Sequence, residues 1–389
     1  MFLKMKVVYY SQPFFADCDF PLVREMQKKG VDVRYYIPLM SGFRSCSILD
    51  FPRPIRKWGI YRASSFPEMH PYRDCVDLDR LYFIIGRNFT WWPFTWFLWF
   101  YAFFHILFQR AEIMHIIWQL RELENILLYI PFFKKKVMTV HDPIQHSNIV
   151  KREINEKRRL RCFRWADVFI LLNNIQLEEF SKTYNIDKDR IIISKLGVYD
   201  SISKMSLPSI DGLEAFKPYI LFFGSISPHK GVDYLLKAMV KLHSDIPNVN
   251  LIIAGNGQFP FDTKPYEPLD YIRIENRYIG IKELVSMVKS CLFVVCPYID
   301  ATQSGVIQTS FALNAPVVAS NVGALPEMVV DDKFGKIVPP CDVEALKNAM
   351  NELIEHPAKL ANMKENIRST WKPSMSWSPI ADNYIDCYK

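Results

Sequence analysis

Twice in this chain a short apolar run leads straight into a turn of small residues and then into a helical pattern. The first instance is residues 219–223, followed by Gly224-Ser225-Ile226-Ser227-Pro228-His229-Lys230-Gly231. The second is residues 292–296, followed by the Ser304-Gly305 turn. It continues through a further strand at 316–320 into Val322-Gly323-Ala324. Strands that feed helices pair in parallel, because only antiparallel neighbours are joined by tight hairpins. The turns at the carboxyl ends of parallel strands open onto helix N-termini, where α/β sheets hold phosphates. These segments therefore imply an α/β chain with an anion site.

The first half carries the same alternation. A strand at 7–10, a helix at 20–29 closed by Gly30 and a strand at 31–37 make a βαβ opening. Further strands are expected at 113–118, 137–140, 168–172 and 191–194, and in the second half at 250–254, with helices at 232–242 and 281–289. A chain of 389 residues exceeds what one core usually supports, so two domains are expected. Residues 201–217 lack apolar periodicity and carry Pro208 and Gly212. The expected boundaries are 1–205 for the first domain, 206–217 for a linker, 218–370 for the second domain and 371–389 for a tail.

A hydrophobic content of 50% with 23% charged residues is that of a globular protein. The net charge of +7 calls for an anionic partner: a nucleotide diphosphate, a membrane surface or a nucleic acid. No nucleic-acid-binding signature accompanies it, so the expectation is no nucleic acid. The eight cysteines contain no CxxC pair, which fits a reducing compartment. The apolar run in the first ten residues is too brief for a signal peptide and reads as a first strand. The expected location is the cytoplasm, peripherally on the inner face of the cell membrane.

Residues 89–108 contain no charge but four tryptophans (Trp91, Trp92, Trp96, Trp99) and seven phenylalanines, bracketed by Arg87 and Arg110. Three readings stand: an interfacial element, a buried helix and a membrane span. Pro93 and His105 count against the span. Residues 151–164 form a basic helix with Lys151, Arg152, Lys157, Arg158, Arg159, Arg161 and Arg164. It is either a solvated face or a contact for anionic headgroups or a lipid-linked diphosphate. Peripheral membrane contact through 89–108 and 151–164 is the expectation.

The two turns agree in sequence, spacing and element type with the nucleotide-sugar half of retaining GT-B glycosyltransferases, and the chain resembles glycosyltransferase family four. That resemblance implies two Rossmann-like domains facing a central cleft, with the C-terminal tail crossing back to the first domain. It implies a retaining, metal-independent hexosyltransferase-type reaction from a nucleotide-sugar donor to a glycan or lipid-linked acceptor, in surface polysaccharide synthesis, with no cofactor. Lys230 matches the family lysine that contacts the donor diphosphate, and with His141 it is the expected catalytic pair. His141 lies in Thr139-Val140-His141-Asp142-Pro143, which resembles the loop that faces the donor sugar; a turn-capping role is the alternative for Asp142. The donor set further comprises Gly224, Ser225, Gly255, Arg277, Tyr278, Ser304, Gly305, Val306, Thr309 and Glu327. Among these, Ser304-Gly305-Val306 would meet the β-phosphate, Arg277-Tyr278 the base and Glu327 the donor loop; a helix-start carboxylate is the alternative for Glu327.

The sequence also departs from the family pattern. An arginine is usual where Ser225 stands, and a pair of glutamates where Ala301 and Thr309 stand; Thr309 offers one hydroxyl to the ribose. The triplets Asp17-Cys18-Asp19 and Asp77-Leu78-Asp79 are expected to be structural, the first as a helix cap, so no metal site is expected. The first βα turn, 11–16, lacks glycine, which excludes a dinucleotide fingerprint. Two rival functions remain: a non-catalytic sugar- or membrane-binding relative, and a nucleotide-sugar epimerase.

Overall fold

The computed structural model describes residues 5–87, 93–144, 152–203, 210, 212–301 and 304–389. It divides into two compact units, residues 1–197 with 376–389, and residues 198–375. Residues 206–209 and 211 of the expected linker, like 89–92 and 151, lie outside the described residues.

The first unit is built on an eight-stranded sheet. Its strands are β1 (Lys6–Tyr10), β2 (Asp32–Met40), β5 (Gly59–Arg62), β6 (Leu81–Gly86), β7 (Ile113–Ile116), β8 (Lys135–Val140), β9 (Val168–Leu171) and β10 (Ile191–Ile193). A small ribbon, β3 (Ser45–Cys46) with β4 (Leu49–Asp50), stands apart. The order is β10-β9-β8-β7-β1-β2-β6-β5, and only β5 is antiparallel to its neighbour. The chain leaves β1 for β2 on one side and later returns to β7 on the other, so the switch point lies between β1 and β7. β1 is buried from Val7 to Tyr10, as a strand covered on both faces must be.

The helices of this unit are α1 (Ala16–Lys28), α2 (Pro93–Leu107), α3 (Arg152–Trp165) and α4 (Leu177–Tyr184). α1 begins earlier than its apolar pattern suggests and corrects the reading of the first acidic triplet. Asp19 does not cap the helix. It is buried and accepts hydrogen bonds from the hydroxyls of Tyr9 (2.6 Å) and Tyr35 (2.9 Å), and burial pushes its carboxyl up to about 7.

α2 resolves the described part of the aromatic segment. At 15 residues it is about 22 Å long, short of the ~30 Å hydrocarbon layer. No helix among the described residues is long and apolar enough to cross a membrane. Leu98, Trp99, Ala102 and Ile106 bury one face in the core, whereas Phe94, Phe97, Phe100, Tyr101 and Phe104 are exposed on the other. The helix is thus core on one side and an open aromatic stripe on the other.

α3 is not a uniformly solvated basic face. Arg159 is buried, donating to the Pro143 carbonyl (2.9 Å) and to the Tyr184 hydroxyl (3.2 Å). Arg158 clamps Glu122 through two nitrogens, while Lys157, Arg161 and Arg164 stay exposed.

The second unit is a six-stranded, wholly parallel sheet. After α5 (Asp200–Ser203) come β11 (Tyr219–Phe223), α6 (Val232–Asp245), β12 (Asn250–Gly255), β13 (Ile272–Asn276), α7 (Ile281–Ser290) and β14 (Val294–Cys296). Then follow α8 (Gly305–Ala312), β15 (Val317–Ser320), α9 (Leu325–Val329), β16 (Gly335–Val338), α10 (Val343–Glu355) and α11 (Pro357–Asn366). The order β13-β12-β11-β14-β15-β16 puts the switch point between β11 and β14. α6 shows why the fold follows from the sequence: Val232, Leu235, Leu236, Met239 and Leu242 repeat at helical spacing, and all are buried.

α11 continues through a π-helical stretch, Ile367–Trp371, and the short α12 (Lys372–Ser374) before α13 (Trp377–Tyr388), which packs in the first unit against α1. There the Tyr388 hydroxyl lies 2.6 Å from His115 Nδ1, and His115 Nε2 lies 2.8 Å from the Thr139 hydroxyl. Burial holds the His115 pKa down at about 3, so a neutral imidazole bridges β7, β8 and the tail.

Candidate functional site

The carboxyl ends of β11 and β14 carry the two turns singled out in the sequence. After β11 the chain makes a tight bend in which the Gly224 amide donates to the Ala254 carbonyl (3.0 Å). Gly255, at the end of the neighbouring strand, lies so close that an added Cβ would sit 1.8 Å from the Gly224 oxygen. Only glycine permits the two turns to pack in this way.

Lys230 follows in a single turn of 3-10 helix, Pro228–Lys230. Its ammonium sits 3.7 Å from the centroid of the Tyr298 ring. Tyr298 is buried at the end of β14, with its hydroxyl 3.4 Å from Ser304 Oγ. Ser304 is the N-cap of α8, its Oγ accepting from the Ile307 amide at 3.4 Å. A cation, an aromatic platform and a helix N-terminus therefore stand in one row at the switch point. The first-turn amides of Gly305 and Val306 have no intrahelical acceptor, and the helix dipole favours an anion in front of them.

The row is held by backbone. The Ile299 amide donates to the His229 carbonyl (2.9 Å), and Gly231 adopts φ +61° with Pro297 pressed against it. A Cβ on Gly231 would lie 2.0 Å from the Pro297 carbonyl oxygen, a clash with rigid backbone. Gly231→Ala is therefore expected to destabilise the protein by about 2–4 kcal/mol. Urea unfolding checks this; an unchanged midpoint would show that the β14 turn yields freely.

The remaining sequence-derived residues are distributed around this centre. Ser225 is exposed beside the Gly224 bend, whereas Ala301 and Thr309 are buried, Thr309 one turn further along α8. Arg277 and Tyr278 lie beyond β13 at the sheet edge, two strands from β11. The Arg277 guanidinium is engaged by Glu283 (3.0 Å) and Glu275 (2.9 Å), while the Tyr278 ring is exposed. Glu327 is exposed in the first turn of α9.

In the first unit, His141 follows β8 and stacks on Phe15 from the turn after β1, with ring centroids 3.9 Å apart. Burial lowers its pKa to about 4 against the pull of Asp142, which leaves a neutral ring at physiological pH.

Sequence reasoning missed two supports of this arrangement, Tyr298 beneath Lys230 and Asn276. The Asn276 amide group both accepts from the Gly257 N–H and donates to the Gly257 carbonyl, at 3.2 Å each. The signal for Tyr298 was its place two residues past an apolar strand, where a ring projects into the turn. Asn276 had no comparable signal.

Two Rossmann-like sheets with a phosphate-type turn in the second define the GT-B class. Solved structures establish that fold. Anabaena HepE in complex with UDP superposes with a TM-score of 0.66 at 15% identity, covering 98% of this chain and 99% of that one. The catalytic domain of starch synthase IV from Arabidopsis thaliana, bound to ADP and acarbose, gives 0.70 at 13% identity, covering 99% of both. Residues 210–370 match the family described as Glycosyl transferases group 1, so the chain is a GT-B protein whose second unit is of the group 1 type. Curated relatives include the D-inositol 3-phosphate glycosyltransferase of Mycolicibacterium smegmatis, 25% identical over 240 residues, which are 57% of this chain and 52% of that protein. The alpha-maltose-1-phosphate synthase of the same organism is 24% identical over 247 residues, 58% of this chain and 63% of the relative. The matched stretch thus spans between half and two thirds of these relatives' own lengths.

Proposed function

We propose that the protein is a retaining glycosyltransferase that moves a sugar from a nucleotide sugar to a glycan or lipid-linked acceptor, in the synthesis of a surface polysaccharide. The observation that carries this reading is Lys230, placed over Tyr298 beside the N-terminus of α8. As the bond between the sugar and the diphosphate breaks, negative charge accumulates on the leaving oxygens. A fixed ammonium and the Gly305 and Val306 amides stabilise that charge, because they are stronger partners of the departing diphosphate than of the intact donor. Gly224 and Gly255 let the backbone come close to the donor, Arg277 and Tyr278 border the base, and Thr309, Ser225 and Glu327 complete the donor set. The neutral His141 serves as a hydrogen-bond partner for the transferring sugar, orienting it. The exposed faces of α2 and α3 hold the protein peripherally at the inner face of the cell membrane.

The Anabaena neighbour is described with UDP and with UDP-glucose, so uridine diphosphate sugars head the donor panel. The decisive measurement is release of nucleoside diphosphate: a transferase makes it in step with acceptor. An epimerase interconverts sugars without acceptor, and a binding relative releases nothing. Ala301 and Thr309, where the family pattern has carboxylates, favour the binding relative as the second reading. Lysine and helix amides take the place of a cation at the diphosphate, so activity is expected to survive exhaustive EDTA treatment. Complete loss with EDTA and rescue by magnesium would contradict that assignment.

A further inference from the structure

The first unit contains a cavity of about 450 Å3, within the range of small-molecule sites. It lies beyond the carboxyl ends of β2 and β6, where open parallel sheets receive ligands. The end of β2 with the following residues 41–46, Arg87, the buried face of α2 and the segment after β7 form its walls. Among the described residues that line it, Arg44, Arg87 and Arg121 stand with one carboxylate, that of Glu124. Glu124 is buried and anchored, accepting from the Arg121 amide (3.0 Å) and the Gln12 side-chain amide (3.4 Å). Its contact with the Arg121 guanidinium is loose, Nε to Oε1 3.8 Å, so that cation is not consumed by a tight pair. Leu98 and Trp99 supply an apolar wall.

Each component selects a chemical group. Guanidinium forks match phosphate oxygens in geometry and charge. A buried carboxylate accepts hydrogen bonds from ring hydroxyls, and an indole offers a flat apolar face to a sugar ring. Leu98 and Trp99 belong to α2, whose opposite face is the exposed aromatic stripe, so one helix separates the cavity from an apolar outer surface.

We propose that this cavity is the acceptor site and that it takes a phosphorylated sugar, as a phosphate or diphosphate ester, with the phosphate on the arginines and the ring hydroxyls on Glu124. Its role as acceptor site rests on the glycosyltransferase reading; its preference for phosphate does not. The ester has two sources, a free sugar phosphate or the head of a lipid-linked sugar.

Calorimetric titration of the full chain tests the proposal. It uses the Lys230→Ala background, so that the donor-side phosphate position does not contribute. Glucose 1-phosphate and farnesyl diphosphate are the charged probes, and octyl glucoside is the uncharged one. At least one charged probe is expected to bind about tenfold or more tightly than octyl glucoside. Arg44→Gln and Arg121→Gln are each expected to weaken it about tenfold. Arg44 is exposed, so its variant keeps the test clean if Arg121→Gln, which strands Glu124, fails to fold. Tighter binding of farnesyl diphosphate assigns the lipid-linked source, and tighter binding of glucose 1-phosphate the free one. Equal binding of octyl glucoside, or no effect of Arg44→Gln, overturns the phosphate site. A separate titration of the unsubstituted protein with UDP and GDP addresses the donor reading. If neither nucleotide binds while the charged probes do, the cavity stands as a phosphosugar site and its role as acceptor site falls.

Discussion

Lys230→Ala is expected to lower the transfer rate about a hundredfold, the usual cost of removing one preorganised stabiliser of developing charge. The magnitude follows from position: the ammonium stands over the Tyr298 ring, next to the helix N-terminus that would face the same diphosphate. Because the charge it meets is greatest in the transition state, the loss should fall on kcat more than on KM. Lys230→Arg, which keeps the charge but changes its reach, should recover part of the rate. The fold should tolerate the change, since the cation–π contact is worth only about 1 kcal/mol. Near-normal turnover by a folded Lys230→Ala protein would remove the lysine from the site. Parallel loss of Tm and activity would make its role structural.

The fold class was legible because its signals are strong and local. Residues 219–223 are a continuous apolar run between breakers, and they form β11 as read. Elements carried by tertiary context were not legible. β5 and β6 follow a stretch rich in proline and polar residues, and β5 pairs antiparallel against the trend of the sheet. β13, with the sequence Ile-Arg-Ile-Glu-Asn, mixes charge into an edge strand whose pattern is too short to separate from a loop. The same limit applies to the site. Glycine turns and Lys230 announce themselves by residue type and order, whereas the tyrosine clasp on Asp19 requires strands β1 and β2 to be side by side with α1. Composition called 89–108 aromatic, but only the helical phase of α2 tells which rings belong to the core. Trp99 is buried and Phe97 is 65% exposed, two positions apart in one run.

That phase sharpens the membrane prediction. Phe97, Phe100, Phe104 and Phe108 recur at three- and four-residue steps, all on the face opposite the core. Phe132 and Tyr129 extend the apolar surface, and a groove of about 520 Å3 between the end of α2 and residues 130–134 carries Arg110 together with Lys134, which is paired with Glu112 at 2.6 Å. An exposed patch of this kind, with cations nearby, is the composition of an interfacial contact. The triple substitution Phe97→Ser, Phe100→Ser, Phe104→Ser is expected to weaken sedimentation with anionic vesicles about a hundredfold or more. Each ring contributes on the order of 1.5 kcal/mol when it enters the interface. The exposed Lys157, Arg161 and Arg164 add about 1 kcal/mol each at low salt, so binding by the unaltered protein should fall steeply as salt rises. Trp99→Ser is the contrasting variant: it removes a core side chain and should cost about 3–5 kcal/mol of stability. Vesicle binding that is unchanged in the triple variant, or absent from the unaltered protein at every lipid composition, would leave the stripe without a membrane role. Binding that resists both high salt and carbonate would contradict peripheral attachment through a 15-residue helix lying in the interface.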